Sequence, residues 1–158
     1  MKPPIFLMAA GAIGLASCAG YRLGPMSGPG PASYVTASVA STAKAPYGQY
    51  LVDGGGRSLY VLVGTKGMDG MNRCDRACLR VWPAAMAGRP TVPGAGLDPN
   101  KLTTVQGPWG TQLAYGGWPL YYFNRDRVPG DTTGHNARDT WGTWYLVSPS
   151  GEPVTAGY

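Results

Sequence analysis

Tyr115-Gly116-Gly117-Trp118-Pro119-Leu120-Tyr121-Tyr122-Phe123-Asn124-Arg125-Asp126 is the stretch on which the reading of this chain turns. A glycine pair leads into an aromatic run, the composition of a strand entered through a tight turn. An earlier stretch has the same order: Gly54-Gly55-Gly56-Arg57-Ser58-Leu59-Tyr60-Val61-Leu62-Val63, so that Leu59-Tyr60 answers Leu120-Tyr121. Each run continues through a polar, turn-rich loop and reaches a tryptophan, Trp82 or Trp144, at nearly equal spacing. Two diverged copies of one unit are therefore expected.

Composition supports a β reading. The 158 residues are 44% apolar and 13% charged, with 25 Gly, 15 Pro, 10 Tyr and 5 Trp. That is enough apolar material for one modest core, with many turns and large amphipathic side chains suited to half-buried strands. Outward from the opening stretch, 48–53 and 58–63 read as strands joined across Gly54 to Arg57, where glycine permits a positive φ. Leu59, Val61 and Val63 then face one way, and Tyr60 and Leu62 the other. Asp75 can cap a short helix over 76–82 that Pro83 ends, with Cys74, Cys78 and Val81 or Trp82 on its inward face. Further strands are expected over 101–106, 111–115, 119–124 and 143–147, and a long loop over 125–141. The expected fold is mainly β: a single antiparallel β domain built from two diverged repeats, with one short helix after the first repeat loop.

The N-terminus reads differently. Lys2, an apolar run from Ile5 to Leu15 and small residues after it form an export signal, too short for a permanent membrane span. Its end, Leu15-Ala16-Ser17-Cys18, resembles the bacterial lipobox, whose cysteine is acylated and becomes the first mature residue. Residues 1–17 are thus expected to be a lipoprotein signal peptide and Cys18 a lipidated anchor carrying chains such as palmitate. Residues 18–46, rich in Gly, Pro, Ser, Ala and Thr, are expected to be the acylated cysteine and its flexible tether, and 47–158 the folded β domain. Ala19, in place of an aspartate that would favour inner-membrane retention, points to the outer membrane, facing the periplasm or the cell surface. A formal charge of +5 in an exported chain points away from nucleic acid and toward anionic lipid, polysaccharide or an envelope protein as partner.

The chain resembles a family of secreted-repeat bacterial lipoproteins with a Tyr-x-(aromatic)-x-x-Asp motif, which Tyr121, Phe123 and Asp126 match. The lead-in Gly-x-Pro-Leu-Tyr, the run Pro129-Gly130-Asp131-Thr132, the end Trp144-Tyr145-Leu146-Val147-Ser148-Pro149 and the spacing Cys74-x-x-x-Cys78-x-x-x-Trp82-Pro83 extend the resemblance over about 50–151. The first copy departs from the motif, with Leu62 and Thr65 where an aromatic and an aspartate are expected after Tyr60. The resemblance implies an exported, repeat-built domain and carries no catalytic residues, because the family's activity is not established.

Several chemistries compete for the remaining residues. With Cys18 acylated, Cys74 and Cys78 are an even pair in an oxidising compartment, which favours a disulfide. On one helical face they would lie about 6 Å apart; a redox-active dithiol is the alternative. Met68, Met71, Cys74 and Cys78 form a soft-ligand run that could hold Cu(I). Asn124, Asp126, Asp131, Asn136 and Asp139 supply hard oxygen for Ca²⁺, or Asp126 and Asp131 shape the loop by accepting backbone N–H bonds. As paired carboxylates the latter two could also serve hydrolysis, but nothing singles them out. His135 reads as a solvated loop histidine. Tyr121 and Phe123 read as core, Tyr122 and Trp118 as exposed. The resulting expectation is a lipid-anchored envelope protein that is not an enzyme and has no required cofactor, acting as a binding or structural module. The alternative is a copper-binding or thiol-redox protein using residues 68–78.

Overall fold

Glycine and aspartate at chain reversals set the pattern of short antiparallel strands. The computed structural model describes residues 38–64, 66, 74–88, 90–107 and 109–155, all within one compact unit. Cys18, Met68 and Met71 lie outside the described residues, as do the signal peptide and most of the tether. The first strand, β1 (Val39–Lys44), pairs with β2 (Gly48–Asp53) over six residues, from Val39 opposite Asp53 to Lys44 opposite Gly48. This corrects the expected tether, which ran to Pro46. A Ser/Thr/Ala stretch without hydrophobic alternation still forms a strand when a neighbouring strand supplies its hydrogen-bond ladder.

The turn after β2 follows the expected chemistry. Asp53 Oδ1 accepts from the N–H groups of Gly55 and Arg57, and Gly56 takes φ +81°, a left-handed conformation open to glycine at little steric cost. The next strand, β3 (Tyr60–Leu62), is flanked by a bridge from Ser58 to Val52. Helix α1 (Arg76–Val81) is capped by Asp75, whose carboxylate accepts from the Cys78 N–H at 2.8 Å. Cys74 precedes that cap and so does not share a helical face with Cys78. The two are joined in a disulfide with their Cα atoms 5.0 Å apart.

Strands β4 (Leu102–Gly107), β5 (Gly110–Tyr115) and β6 (Trp118–Pro119) form a second sheet. The β5–β6 reversal uses Gly116 and Gly117, at φ +59° and +86°. A Cβ on Gly116 would lie 2.7 Å from the Gly151 carbonyl oxygen, so close approach as well as backbone conformation requires glycine there. The expected strand over 119–124 shrinks to the short β6 and two isolated bridges at Tyr121, to Tyr60 and to Ala84. Inside the expected loop 125–141, β7 (Ala137–Asp139) pairs with β8 (Gly142–Leu146), which also pairs with β3. Among the described residues the architecture is three small antiparallel sheets and one short helix, a mainly β domain as expected.

The positions aligned between the two stretches in the sequence meet in space. Tyr60 and Tyr121 exchange both backbone hydrogen bonds, at 2.8 and 2.9 Å. Leu59 N–H donates to Leu51 and Leu120 N–H to Leu113. Leu51 N–H in turn reaches Val147, and Leu113 N–H reaches Ala85. Val63 donates to Thr143, one residue before Trp144; Asn124 donates to Val81, one residue before Trp82. Each aromatic run is thus closed by the tryptophan-bearing segment that follows the other run.

β3 lies between two cores. Leu59 and Val61 pack with Leu51, Leu113, Tyr115, Leu120 and Val147, whereas Tyr60 and Leu62 pack with Trp82, Tyr121, Phe123, Trp144 and both cysteines. This is the alternation expected from the sequence, except that Val63 at the strand end is exposed. At the centre of the aromatic core, Trp82 stacks on Trp144 with centroids 4.1 Å apart and on Phe123 at 4.3 Å, while Tyr60 meets Trp82 edge-on. Among the described residues, no helix is long and apolar enough to cross a membrane.

Candidate functional site

The loop after the motif is held by three aspartates, each with a separate set of donors. Asp126 lies at its start, where the chain leaves the aromatic core at Phe123. Its Oδ2 accepts from the hydroxyl of Tyr60 at 2.6 Å, and its Oδ1 from the N–H and hydroxyl of Thr133. Burial first, and then the bond to Asp126, push the Tyr60 hydroxyl well above the ordinary tyrosine range, so it remains a donor. Tyr60 and Asp126, assigned to different copies in the sequence, are therefore one unit. Asp131 accepts from the N–H groups of Arg127 and Val128. The Val128 bond and then the Arg127 bond hold its carboxyl below the usual value. These are the loop-shaping roles expected of Asp126 and Asp131.

Asp139 was not singled out for a structural role by the sequence, yet its bonds are the most consequential in the loop. Oδ2 accepts from both core indoles, Trp82 Nε1 at 2.8 Å and Trp144 Nε1 at 2.9 Å. Oδ1 accepts from the N–H groups of Trp141 and Gly142. One exposed carboxylate thus anchors both halves of the indole stack. The only sequence signal for it is indirect: two buried tryptophans each need an acceptor, and indole donates but cannot accept.

His135 is not solvated as expected. Its ring is half-buried, packs near Tyr47 and Tyr145, and accepts from the Leu146 N–H through Nδ1 at 3.2 Å. Burial lowers its pKa from 6.5, since desolvation disfavours the charged ring and only the neutral ring can accept. The unfolded state then binds the proton more readily. Stability should fall as pH drops below about 6.5, and the His135 contribution should level off below the folded pKa. Urea midpoints at pH 7.5 and 5.5 are expected to differ for the native chain and to converge for His135→Asn, which does not titrate. An unchanged difference would exclude His135 as its source. Asp131 and Glu152, both lowered from ordinary carboxylate values, act at more acidic pH.

Tyr121 and Phe123 are core residues, as expected, whereas the expected exposure of Trp118 and Tyr122 is corrected. Trp118 is 7% exposed. Tyr122 is half-buried beneath Arg57, 4.0 Å from its ring centroid, and donates to Asp53. Both side chains cover apolar neighbours that a strand pattern alone does not count. Joined in a disulfide, Cys74 and Cys78 do not offer the thiolates that a soft metal binds. Among the described residues, no group of three or more His, Cys, Asp or Glu side chains comes together as a metal cluster.

Beside the indole stack, a pocket of about 210 Å³ is lined by Val81, Trp82, Phe123, Arg125, Ala137, Arg138 and Asp139. Both arginines are exposed. Neither guanidinium has a hydrogen bond, ion pair or ring contact among the described residues. A second pocket, of about 300 Å³, is lined by Ala87, Gly88, Thr91, Thr104, Gln106 and Thr111 and has no charged group.

No curated protein and no solved structure matches the chain. One family model does, over a segment running from β4 through the motif loop to just past β8. It contains Phe123, Asp126, Asp139 and Trp144 but not Tyr60 or Trp82, to which the two aspartates bond. Residues 103–148, the stretch that carries the Tyr121–Asp126 motif, match the family described as a secreted repeat of unknown function.

Proposed function

We propose that this is an exported, lipid-anchored module of the cell envelope that binds or scaffolds and does not catalyse. The observation that carries this reading is the use made of the motif acid: both oxygens of Asp126 are committed to Tyr60 and Thr133. A carboxylate held on one oxygen by a buried hydroxyl and on the other by the amide and hydroxyl of Thr133 is a clasp that fixes the loop, not a general base aimed at a substrate. Asp131, Asp139 and the His135 ring nitrogen are likewise engaged with backbone or indole N–H groups. The matched family, described as secreted, supports an extracellular or envelope location. The order Leu15-Ala16-Ser17-Cys18 after an apolar run supports acylation at Cys18, and Ala19 in place of an aspartate supports the outer membrane as the site of attachment. Anionic lipid, polysaccharide or an envelope protein is the proposed partner class.

Anchoring is tested in a bacterial host fed an alkyne-bearing palmitate. The native chain is expected to take up label and to sediment with membranes, while Cys18→Ala loses the label and most of the sedimentation. Label retained in Cys18→Ala would overturn the assignment of Cys18 as the acylated residue.

A further inference from the structure

We propose that the pocket bounded by Trp82, Phe123, Arg125 and Arg138 binds a small organic monocarboxylate with an apolar body. This rests on the reading of the domain as a binding module and names the ligand class of its pocket.

Three features lead to that class. First, charge: the lining carries two guanidinium groups and one carboxylate, a net single positive charge that a monoanion neutralises and a dianion overshoots. Arginine suits this task because its planar donor fork matches a carboxylate. Second, hydrogen-bonding capacity: the only acceptor side chain in the lining is Asp139, and its two oxygens already receive four N–H groups, those of Trp82, Trp144, Trp141 and Gly142. A carboxylate offers about four lone-pair sites, so none is left for a ligand hydroxyl. A polyhydroxylated sugar could accept from the two guanidinium groups, but its hydroxyl donors would lose water and find no free acceptor side chain in the lining. Third, the remaining lining is Val81, Trp82, Phe123 and Ala137, which favours an aromatic or branched aliphatic body. At about 210 Å³, the pocket falls below the span of drug-sized sites, roughly 300–1,000 Å³, and so suits a compact ligand.

The free arginines have a structural counterpart in the tied aspartate. Asp139 is held in place by the indole stack, while Arg125 and Arg138, from the motif loop and from β7, are left without protein partners among the described residues. The pocket therefore combines apolar walls with exposed cationic rims, an arrangement that recognises an anionic end group by placing two guanidinium groups against it.

The test uses the folded domain and four probes of similar size: benzoate, phenyl phosphate, glucuronate and benzyl alcohol. Binding is followed by the NMR shifts of the Trp82 indole N–H and the Ala137 amide. Benzoate is expected to saturate these shifts with a Kd on the order of 1 mM, as befits a small ligand at an exposed rim. Added salt should weaken it. Arg125→Ala and Arg138→Ala should each weaken benzoate several-fold, and the double variant at least tenfold, with far-UV circular dichroism unchanged because both side chains are exposed. Benzyl alcohol binding as tightly as benzoate would overturn the need for charge. Glucuronate binding more tightly would overturn the apolar body, and phenyl phosphate binding tenfold more tightly would overturn the monoanion. Absence of shifts with all four probes would overturn the pocket proposal while leaving the anchoring reading intact. Loss of the acylation reading at Cys18 would in turn leave the pocket result untouched.

Discussion

Replacing Asp139 with alanine is expected to lower the stability of the domain by about 3 kcal/mol, although the residue is exposed and no chemistry is assigned to it. Its Oδ2 accepts from the indole nitrogens of Trp82 and Trp144, side chains that are 1% and 0% exposed. Leaving a buried donor unsatisfied costs about 1–3 kcal/mol, and two such donors set the upper range. Water can reach the vacated position from the surface, which argues for the lower half of that range. Losing the bonds from the Trp141 and Gly142 N–H groups adds the cost of a looser β7–β8 turn. Asp139→Asn keeps one acceptor oxygen but turns an amide toward donors, so it should fall between alanine and the native chain. Urea denaturation measures both. A loss below about 0.5 kcal/mol for Asp139→Ala, the range of ordinary surface changes, would show that the indoles do not depend on this acid.

Asp126→Ala is the second large effect, expected at about 2–3 kcal/mol. It strands the O–H donor of Tyr60, a residue with no exposed surface, whose oxygen still accepts from the Gly134 N–H at 3.4 Å. It also frees the Thr133 turn. Tyr60→Phe removes the hydroxyl itself and so should cost less, about 1 kcal/mol. The informative quantity is the double variant. If the hydroxyl and carboxylate act as one unit, Asp126→Ala in the Tyr60→Phe background should cost at least 1 kcal/mol less than in the native background. Additivity within about 0.5 kcal/mol would mean that the short contact carries no net stability.

These effects concern residues of unequal legibility. Tyr60 and Asp126 stood out in the sequence through the repeated aromatic run and the motif, but nothing marked them as partners. Asp139 was visible only as one of several loop carboxylates. Nothing in the sequence singled out Arg125 and Arg138, and their convergence on one pocket follows from the pairing of β7 with β8 beside the motif loop. The misread elements share a cause. β1 has little hydrophobic alternation, and the tail of the motif run lacks a continuous ladder partner, so propensity alone placed one in the tether and extended the other into a strand.

By itself the sequence determined what depends on near neighbours: the glycine reversals after β2 and β5, the Asp75 cap, the alternation that divides Leu59 and Val61 from Tyr60 and Leu62, and the spacing that suits the Cys74–Cys78 bridge. Turn chemistry, capping and strand alternation act over a few residues, so they can be read from a few residues. Only the tertiary structure decided that each aromatic run is closed by the tryptophan segment following the other, that Tyr60 bonds Asp126, and that one carboxylate holds both indoles. Those choices join residues dozens of positions apart. Many alternative pairings would satisfy the same local pattern, and the selection falls to the one that buries the aromatic groups together while giving the Tyr60 hydroxyl and the Trp82 and Trp144 indoles an acceptor.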